Sequence, residues 1–315
     1  MNRMILTALA AAAQLMAGPA MAQLRAGAGR VEITPPASAF PFLFERERPL
    51  VGVHDPVFAR ALALDSDGVR ALIVVLEVTA VPEPEPMRRA VAAATGVDPA
   101  NIMIAATHTH SVPSTFMHGD AVDAVRRAEY DRIKAGAVAA SRQAVKELRP
   151  ARVAFQRGEA HVNMNNGEAS GAKGWFDPKG FSDKSLDVVR IEGGDGKSIA
   201  LMLNYASHAE VMFRSVTHDG GYEVTGDLPG ATSRILEGDA RAAPVVLFTA
   251  AAEGDQLSLF KSLQPAAELP ASDEGAGGWS LQNLLARRLA SAALVTLRAM
   301  PPASSSAPAA RPRPC

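Results

Sequence analysis

NIMIAATHTHSVP, residues 101–113, places two histidines directly after a short run of apolar residues. The apolar part, Asn101 to Ala106, is typical of a buried β-strand. In extended backbone, side chains two positions apart point to the same side, so His108 and His110 would share one face just beyond that strand. Proteins of the α/β class place ligands and catalytic groups at such strand ends. The pair predicts two ligands of one metal, or one ligand beside an acid, base or oxyanion donor.

A second predicted strand, Ser198 to Tyr205, also leads into a histidine. His208 follows it after the small residues Ala206 and Ser207. If this strand neighbours the first one in the sheet, their carboxyl ends would bring the histidines together. We therefore expect His208 to be a metal ligand.

Three carboxylates lie in comparable positions. Glu253 and Asp255 occupy a small-residue turn after the predicted strand Pro244 to Thr249, and Asp227 precedes a predicted helix. Asp227 is placed to cap that helix, and the other two residues also suit an ordinary turn. If the three strands are neighbours, these carboxylates could instead join the histidines around one metal.

Strands and helices alternate along the chain, which predicts an α/β fold: a layered mixed β-sheet domain flanked by helices. Asp67-Gly68 predicts a hairpin turn between two of the strands, and Gly96 predicts the end of a helix. One domain over residues 23–300 is the simplest organisation. The predicted strands cover 30–33, 56–64, 70–78, 101–106, 153–162, 186–192, 198–205 and 244–249, and the predicted helices cover 86–95, 121–148, 230–237 and 280–300.

Composition restricts the partners and the metal ligands. The chain has 32 Lys and Arg against 33 Asp and Glu. Since phosphate binding needs a clear positive excess, nucleic acid is not an expected partner. The single cysteine is Cys315, so a transition metal in the core would be held by His, Asp, Glu, Tyr or water. Such ligands favour a catalytic zinc site over a structural one.

The two ends of the chain predict export and a tail. Arg3 precedes an apolar, Ala-rich run, and Ala20-Met21-Ala22 has the small residues that a signal peptidase reads. Residues 1–22 are therefore predicted to be a signal peptide cleaved after Ala22, which gives a secreted or periplasmic protein. The apolar run is short for a membrane span, so stable membrane insertion is not expected. Residues 301–315 are rich in Pro, Ala and Ser and are predicted to be a disordered tail.

Several segments together resemble the N-terminal catalytic region of the neutral/alkaline non-lysosomal ceramidase family. The most specific are Thr-His-Thr-His-Ser-x-Pro and Asn-Tyr-Ala-x-His, which occur in the family's order and spacing. The resemblance covers nearly the whole chain up to the last helix. The matching segments are AGAGRVEITPP at 26–36, GVHDPVFARALALD at 52–65, NIMIAATHTHSVP at 101–113, LDVVRIEGGDGKSIALMLNYASHAEVM at 186–212, GDLPGA at 226–231 and AAEGDQ at 251–256.

The resemblance implies a zinc-dependent amidase that splits the N-acyl bond of ceramide into a fatty acid and sphingosine. His108 and His208 match the family's first two zinc ligands, and His110 matches the histidine that assists at the reacting carbonyl. The implied substrate is a small-molecule or lipid amide, and the implied cofactor is Zn²⁺. Zinc held by neutral ligands lowers the pKa of its water toward neutrality, which suits attack on an amide.

The chain departs from the family pattern in three places. The family's downstream glutamate and tyrosine zinc ligands have no counterpart, and the family's arginine is replaced by the stretch Val162 to Asn166. The turn motif continues as Gln256-Leu257-Ser258. Two histidines alone rarely hold zinc firmly, so we hypothesise that Asp227, Glu253 or Asp255 is the third ligand. The alternatives are a ceramidase-like binding protein with a degraded site, a truncated chain that folds poorly, or a hydrolase of another small amide or ester.

Overall fold

The computed structural model describes residues 24–42, 48–116, 123–166, 177, 180–213, 215–216, 220–259 and 277–304. The predicted signal peptide and residues 305–315 of the predicted tail lie outside these ranges. The described residues form twelve strands and four α-helices. The strands are β1 Arg25–Glu32, β2 Leu50–Val53, β3 Phe58–Ser66, β4 Val69–Leu76, β5 Ile102–Ala106, β6 Arg149–Glu159, β7 Asn163–Asn165, β8 Ser185–Gly193, β9 Ser198–Tyr205, β10 Tyr222–Val224, β11 Val246–Ala250 and β12 Gln256–Ser258, and the helices are α1 Pro84–Thr95, α2 Ala124–Lys146, α3 Asp227–Glu237 and α4 Gly278–Ala299.

Eight strands form one mixed sheet in the order β11-β9-β8-β6-β1-β3-β4-β5. The two edge strands run parallel to their neighbours, β11 to β9 and β5 to β4. The inner pairs are antiparallel. The junction in the middle is narrow, because β1 pairs with β6 at only two positions, Arg25↔Pro150 and Ala26↔Arg149.

This narrow junction lets the two halves of the sheet fold over one another. The edge strand β11 contacts β3, β4 and β5, which belong to the other half. An apolar cluster between the halves takes Leu62 and Val75 from one side and Ile191 and Leu247 from the other. The helices cover the outer faces, α1 and α2 on the first half and α3 and α4 on the second. The result is four layers, helices outside and the two half-sheets inside.

Two glycines in β1 allow helix α2 to approach the sheet closely. A Cβ at Gly27 would collide with the backbone carbonyl of Ala144, and one at Gly29 would collide with the carbonyl of Ala140. Both carbonyls belong to α2. The small residues of this strand therefore set the spacing between the first half-sheet and its helices.

The predicted α/β class and mixed sheet are confirmed. The hairpin at Asp67-Gly68 is confirmed as well, since β3 and β4 pair across it and both residues have positive φ, 52° and 83°. Gly96 ends α1 at φ 69°, as predicted. Strand β9 has the predicted bounds.

Several predicted boundaries were wrong. Strand β1 begins at Arg25 rather than Arg30. The prediction missed its first residues because they are mostly small and show no apolar alternation. Asp227 does not cap helix α3: Gly226 is the N-cap, and Asp227 is the first helical residue. At the other end of the chain, Ser304, within the range predicted as the tail, exchanges backbone hydrogen bonds with Val153 at 2.9 Å.

Candidate metal centre

The folded-over sheet brings two distant loops together. His108 and His110 follow β5, an edge of the first half-sheet, and His208 follows β9 in the second half. The two loops are joined directly, because the backbone N–H of His110 donates to the carbonyl of Ala209 at 3.0 Å. Strands β5 and β9 are not neighbours in the strand order. The two loops therefore meet only because the half-sheets pack against each other, along a junction that we call the seam.

The three imidazole rings form one compact group. The ring centroids lie 4.6 Å apart for His108 and His110, 4.8 Å for His108 and His208, and 5.0 Å for His110 and His208. The Nε2 atoms of His110 and His208 are 3.2 Å apart. One ligand nitrogen from each ring lies within 4.8 Å of the other two, and all three side chains are half-buried. This group has the composition and spacing of a metal site.

His108 is held in one tautomer. Its Nδ1 lies 2.6 Å from the carbonyl oxygen of Thr79, and because a carbonyl only accepts, Nδ1 carries the proton and donates. The Nε2 lone pair is left for a metal. Burial is the main cause that lowers the pKa of His108, against the hydrogen bond to Thr79 and with a smaller effect of His208. The neutral ligand form is therefore favoured.

The loop after β5 is fixed by backbone and hydroxyl contacts. His108 itself has φ 62°, in the left-handed region that a side chain seldom adopts. The hydroxyl of Thr109 donates to the Thr225 carbonyl at 3.0 Å, and the Thr225 N–H donates to the Ser111 carbonyl at 2.9 Å. The strained conformation persists because both sides of the loop are tied to the segment before α3.

The loop after β9 is tied to the turn that follows β11. The N–H of Ala251 donates to the Tyr205 carbonyl at 3.1 Å, and the N–H of His208 donates to the Gln256 carbonyl at 2.7 Å. These two bonds enclose the segment from Tyr205 to His208. The turn that carries Glu253 and Asp255 therefore runs beside the loop that carries His208.

The carboxylate of Asp227 is not brought together with the histidines. It is fully buried, and it accepts backbone hydrogen bonds from Val211 at 3.1 Å, Met212 at 2.9 Å and Leu228 at 2.6 Å. Its φ of 52° turns the side chain back toward these N–H groups. Asp227 fixes the chain a few residues beyond His208, which is a structural task.

The two carboxylates of the turn differ from one another. Asp255 accepts from the Gln256 side chain at 2.9 Å and from the Asn165 side chain at 2.9 Å. The Oε2 atom of Glu253 is buried and makes no hydrogen bond within the described part of the chain. Burial, with a smaller effect of the charge of Glu210, raises the pKa of Glu253 to about 8. Neither residue belongs to the compact histidine group formed by the described residues.

Four neighbours of the histidines were missed at the sequence level. Thr79 orients His108, and Glu210 lies close enough for its charge to act on that ring. Phe116 meets His108 edge-on at 6.3 Å, and Phe213 meets His110 edge-on at 5.1 Å. Glu210 and Phe213 follow His208 within five residues, a signal that was present in the sequence. Thr79 follows β4, the strand that pairs with β5, and no local pattern reveals this pairing.

A lysine lies beside the stretch where the family's arginine was expected. The ammonium group of Lys184 donates to the Asn163 side-chain oxygen at 2.8 Å and to the Ser182 hydroxyl at 2.8 Å. Burial lowers the pKa of Lys184. Asn163 in turn donates to the Ala206 carbonyl at 2.5 Å, next to the loop of His208. These hydrogen bonds therefore help to hold the segment that leads to His208.

Comparison with known proteins agrees with the geometry. The family model described as "Neutral/alkaline non-lysosomal ceramidase, N-terminal" matches residues 24–256. A curated relative, neutral ceramidase A of Dictyostelium discoideum, is 29% identical over 150 residues, which is 44% of this chain and 20% of that protein. The chain therefore spans only part of the length of this relative.

Two solved structures share the fold. The crystal structure of neutral ceramidase from Pseudomonas aeruginosa has a TM-score of 0.68 at 20% identity, covering 87% of this chain and 45% of that one. A structure described as ceramidase complexed with C2 has a TM-score of 0.67 at 20% identity, covering 87% and 44%. In the described residues, no helix is both long enough and apolar enough to cross a membrane.

Proposed function

Since this chain belongs to the neutral/alkaline non-lysosomal ceramidase family, we propose that it is an exported zinc-dependent hydrolase that cleaves an N-acyl amide of a ceramide-like lipid. The observation that carries the proposal is the convergence of His108, His110 and His208 from two half-sheets. The family supports hydrolase chemistry, and the histidine group supports a metal as its cofactor.

The donor atoms fit zinc. Two nitrogens bound to one tetrahedral zinc, each about 2.0–2.1 Å from it, are about 3.4 Å apart. The Nε2 atoms of His110 and His208 are 3.2 Å apart, and the tautomer of His108 directs its Nε2 lone pair away from Thr79. We assign His108 and His208 as ligands. His110 can serve as the third nitrogen or remain beside the metal as the auxiliary histidine of the family pattern.

The reaction follows from these assignments. When bound, zinc supplies Lewis acidity and lowers the pKa of water toward neutrality, which makes an amide hydrolysable at neutral pH. His110, in contact with His208, holds a proton at a ring nitrogen for the developing oxyanion or for the leaving amine. The exposed ring of Phe116 and the ring of Phe213 offer apolar surface to an acyl chain beside these groups.

Metal content is the first test. We expect about one zinc per chain in the purified protein, and loss of that zinc in His108→Ala and in His208→Ala. His161→Ala is the matched control, because His161 is a histidine with a 69% exposed side chain outside the group. A protein that takes up no zinc after reconstitution would contradict the proposal and favour a ceramidase-like binding protein.

Activity is the second test. The zinc-loaded protein should release fatty acid from a short-chain N-acyl sphingosine, and His110→Ala should lower kcat by about 100-fold or more. His110→Ala also separates its two roles, because an auxiliary histidine leaves zinc content unchanged. Zinc binding without amide cleavage, together with cleavage of a matched ester, would replace the amide with an ester substrate.

A further inference from the structure

We propose that a cavity in the second half of the molecule binds the phosphate group of a small organic anion. The cavity lies at the amino ends of β9 and β11, next to the carboxyl end of α3, and has a volume of about 580 Å³. The histidine centre lies beyond the opposite end of β9, and the eight residues of this strand separate the two places by about 25 Å. The inference therefore goes beyond the proposed function and does not rest on it.

Two carboxylates that line the cavity are already neutralised by arginines. The side chain of Glu237 is only 3% exposed, and it is bound by Arg60 and Arg30. Asp239 is bound by Arg241 through Nε at 2.9 Å and Nη2 at 2.5 Å. A cation that entered the cavity would therefore meet carboxylates whose negative charge is already offset.

A third carboxylate, that of Glu192, is shared by two arginines. Its Oε1 atom lies 3.0 Å from Nη2 of Arg152, and its Oε2 atom lies 3.2 Å from Nε of Arg190. The Nε–H groups of both arginines are buried and make no hydrogen bond within the described ranges. One carboxylate thus faces two guanidinium groups, which leaves one positive charge without a counter-charge.

Lys197 adds a second unmatched positive charge. It lines the cavity and is exposed, and its ammonium group has no hydrogen bond or ion pair with any described residue. The turn between β8 and β9 fixes its backbone, because its N–H donates to Oδ1 of Asp195 at 3.1 Å and its carbonyl accepts from the Gly193 N–H at 2.8 Å. Asp195 itself does not line the cavity. The charge left over at this place is therefore positive.

A phosphate group complements this excess in charge and in geometry. A guanidinium group binds two phosphate oxygens through two parallel N–H groups, and the Nη groups of Arg190 make no hydrogen bond in the described part of the chain. Ser198 adds a hydroxyl group to the lining. The volume falls in the range of pockets for small organic ligands rather than for a single ion. The ligand class is therefore a phosphomonoester, either free in solution or as the headgroup of a lipid.

The test measures the binding of inorganic phosphate and of O-phosphoethanolamine to the full chain by isothermal titration calorimetry. Lys197→Gln removes a side chain that has no partner among the described residues, so the fold should be preserved, and binding of O-phosphoethanolamine should weaken by about 10-fold or more. Arg190→Gln should have a similar effect. Arg157→Gln is the matched control, because Arg157 also pairs with a carboxylate of the neighbouring strand, Asp187, but lies outside the cavity.

Two further measurements locate the site and identify the source of the phosphate. His208→Ala should bind O-phosphoethanolamine like the unmodified protein, because no residue of the cavity belongs to the histidine group. Sedimentation with phosphatidic acid vesicles, but not with phosphatidylcholine vesicles, would identify a lipid headgroup if Lys197→Gln abolishes it.

The proposal is overturned if neither the soluble probes nor the vesicles bind saturably. It is also overturned if Lys197→Gln and Arg190→Gln bind like the unmodified protein, or if Arg157→Gln weakens binding as much as they do. Loss of phosphate binding in His208→Ala would assign the ligand to the histidine centre instead. Failure of the protein to bind zinc would refute the proposed function and leave this test unaffected.

Discussion

The Arg60 cluster (Arg60, Glu77 and Glu237) and the histidine centre are both polar groups enclosed by the fold, but they differ in how fully the polar atoms in and beside them are hydrogen-bonded. Arg60 forms an ion pair with Glu77 and binds Glu237 through Nε at 2.7 Å and Nη2 at 3.1 Å. Glu77 also accepts from the Phe58 N–H, and Glu237 from the Val246 N–H, each at 3.0 Å. In the turn beside the histidine centre, Glu253 keeps a buried oxygen without a hydrogen bond among the described residues.

The difference separates a structural use of charge from a functional one. Burial alone would lower the pKa of Arg60, and the charges of Glu77 and Glu237 raise it above its ordinary value. The cluster connects β3, the residue that follows β4, and α3, and so joins the two halves of the molecule. In the histidine centre and in the turn beside it, burial disfavours the charged form of His108 and of Glu253, and no ion pair of the kind seen around Arg60 offsets it among the described residues. Stability should respond strongly to changes in the first region, and metal binding to changes in the second.

The largest effect is expected for Arg60→Met. This change leaves the buried carboxylate of Glu77 without its cation and leaves Glu237 with only the partly exposed Arg30, and it should lower the free energy of unfolding by about 3–5 kcal/mol in urea denaturation. Arg30→Met is the matched control, because Arg30 also pairs with Glu237 but has a 39% exposed side chain. Its cost should be below about 1 kcal/mol. Equal costs for the two variants would contradict the structural role of the cluster.

Asp227→Ala should come second, with a loss of about 2–3 kcal/mol, because it leaves three buried backbone N–H groups without their acceptor. The same urea titration of Asp239→Ala, whose partly exposed carboxylate is bound by the exposed Arg241, should show a far smaller change. If Asp227→Ala were as stable as the parent protein, the carboxylate would have no structural task and its assignment as a metal ligand would reopen.

A smaller, pH-dependent effect is expected for Glu253→Gln in metal-free protein. The folded state holds the Glu253 proton up to about pH 8, whereas the unfolded chain releases it near the ordinary pKa of 4.5. The unfolded state therefore binds fewer protons between these values, and stability falls as pH rises through this window. The glutamine variant lacks this loss, so it should gain about 1–2 kcal/mol over the parent at pH 8 relative to pH 4. A gain that is the same at both pH values would contradict the raised pKa.

The smallest effect concerns the backbone of the two β5-loop histidines. His108 has φ 62°, a conformation that favours glycine, and among the described residues His110 is not one of those with positive φ. His108→Gly relieves this strain, so it should be less destabilising than His110→Gly by about 1 kcal/mol. Thermal unfolding of both variants in a chelator measures the difference. The reverse order would show that the strain at His108 is not stored in the folded protein.

The sequence predicted which histidines form the centre better than it predicted the strand order that brings them together. His108, His110 and His208 were expected to meet because each follows a buried strand, and the structure brings them together. We expected them to meet because their strands would be neighbours in the sheet, and this holds only in part. Strands β9 and β11 are neighbours, but β5 lies at the opposite edge of the sheet. Strand order depends on pairings between distant residues, which local periodicity does not contain.

Asp227 shows a second limit. A carboxylate before a helix predicts an N-cap, but the left-handed backbone of Asp227 turns its side chain toward Val211 and Met212 instead. The short parallel pair of β10 with β2 was also missed, because three residues in a Gly-rich loop give no alternation to detect. Local patterns therefore located the candidate residues, and long-range contacts decided which of them lie close together.

The histidine centre can form only after the two half-sheets have packed against each other along the seam, so it forms late in the synthesis and folding of the chain. His108 and His110 are synthesised about a hundred residues before His208, and strand β11, whose following turn holds the second loop, is made later still. Non-local strand pairing of this kind is slow compared with local helix formation. Before His208 is made, a nascent chain therefore holds only two of the three histidines of the centre. Under the proposed function, a metal that needs all three histidines would bind only after the two half-sheets have packed together.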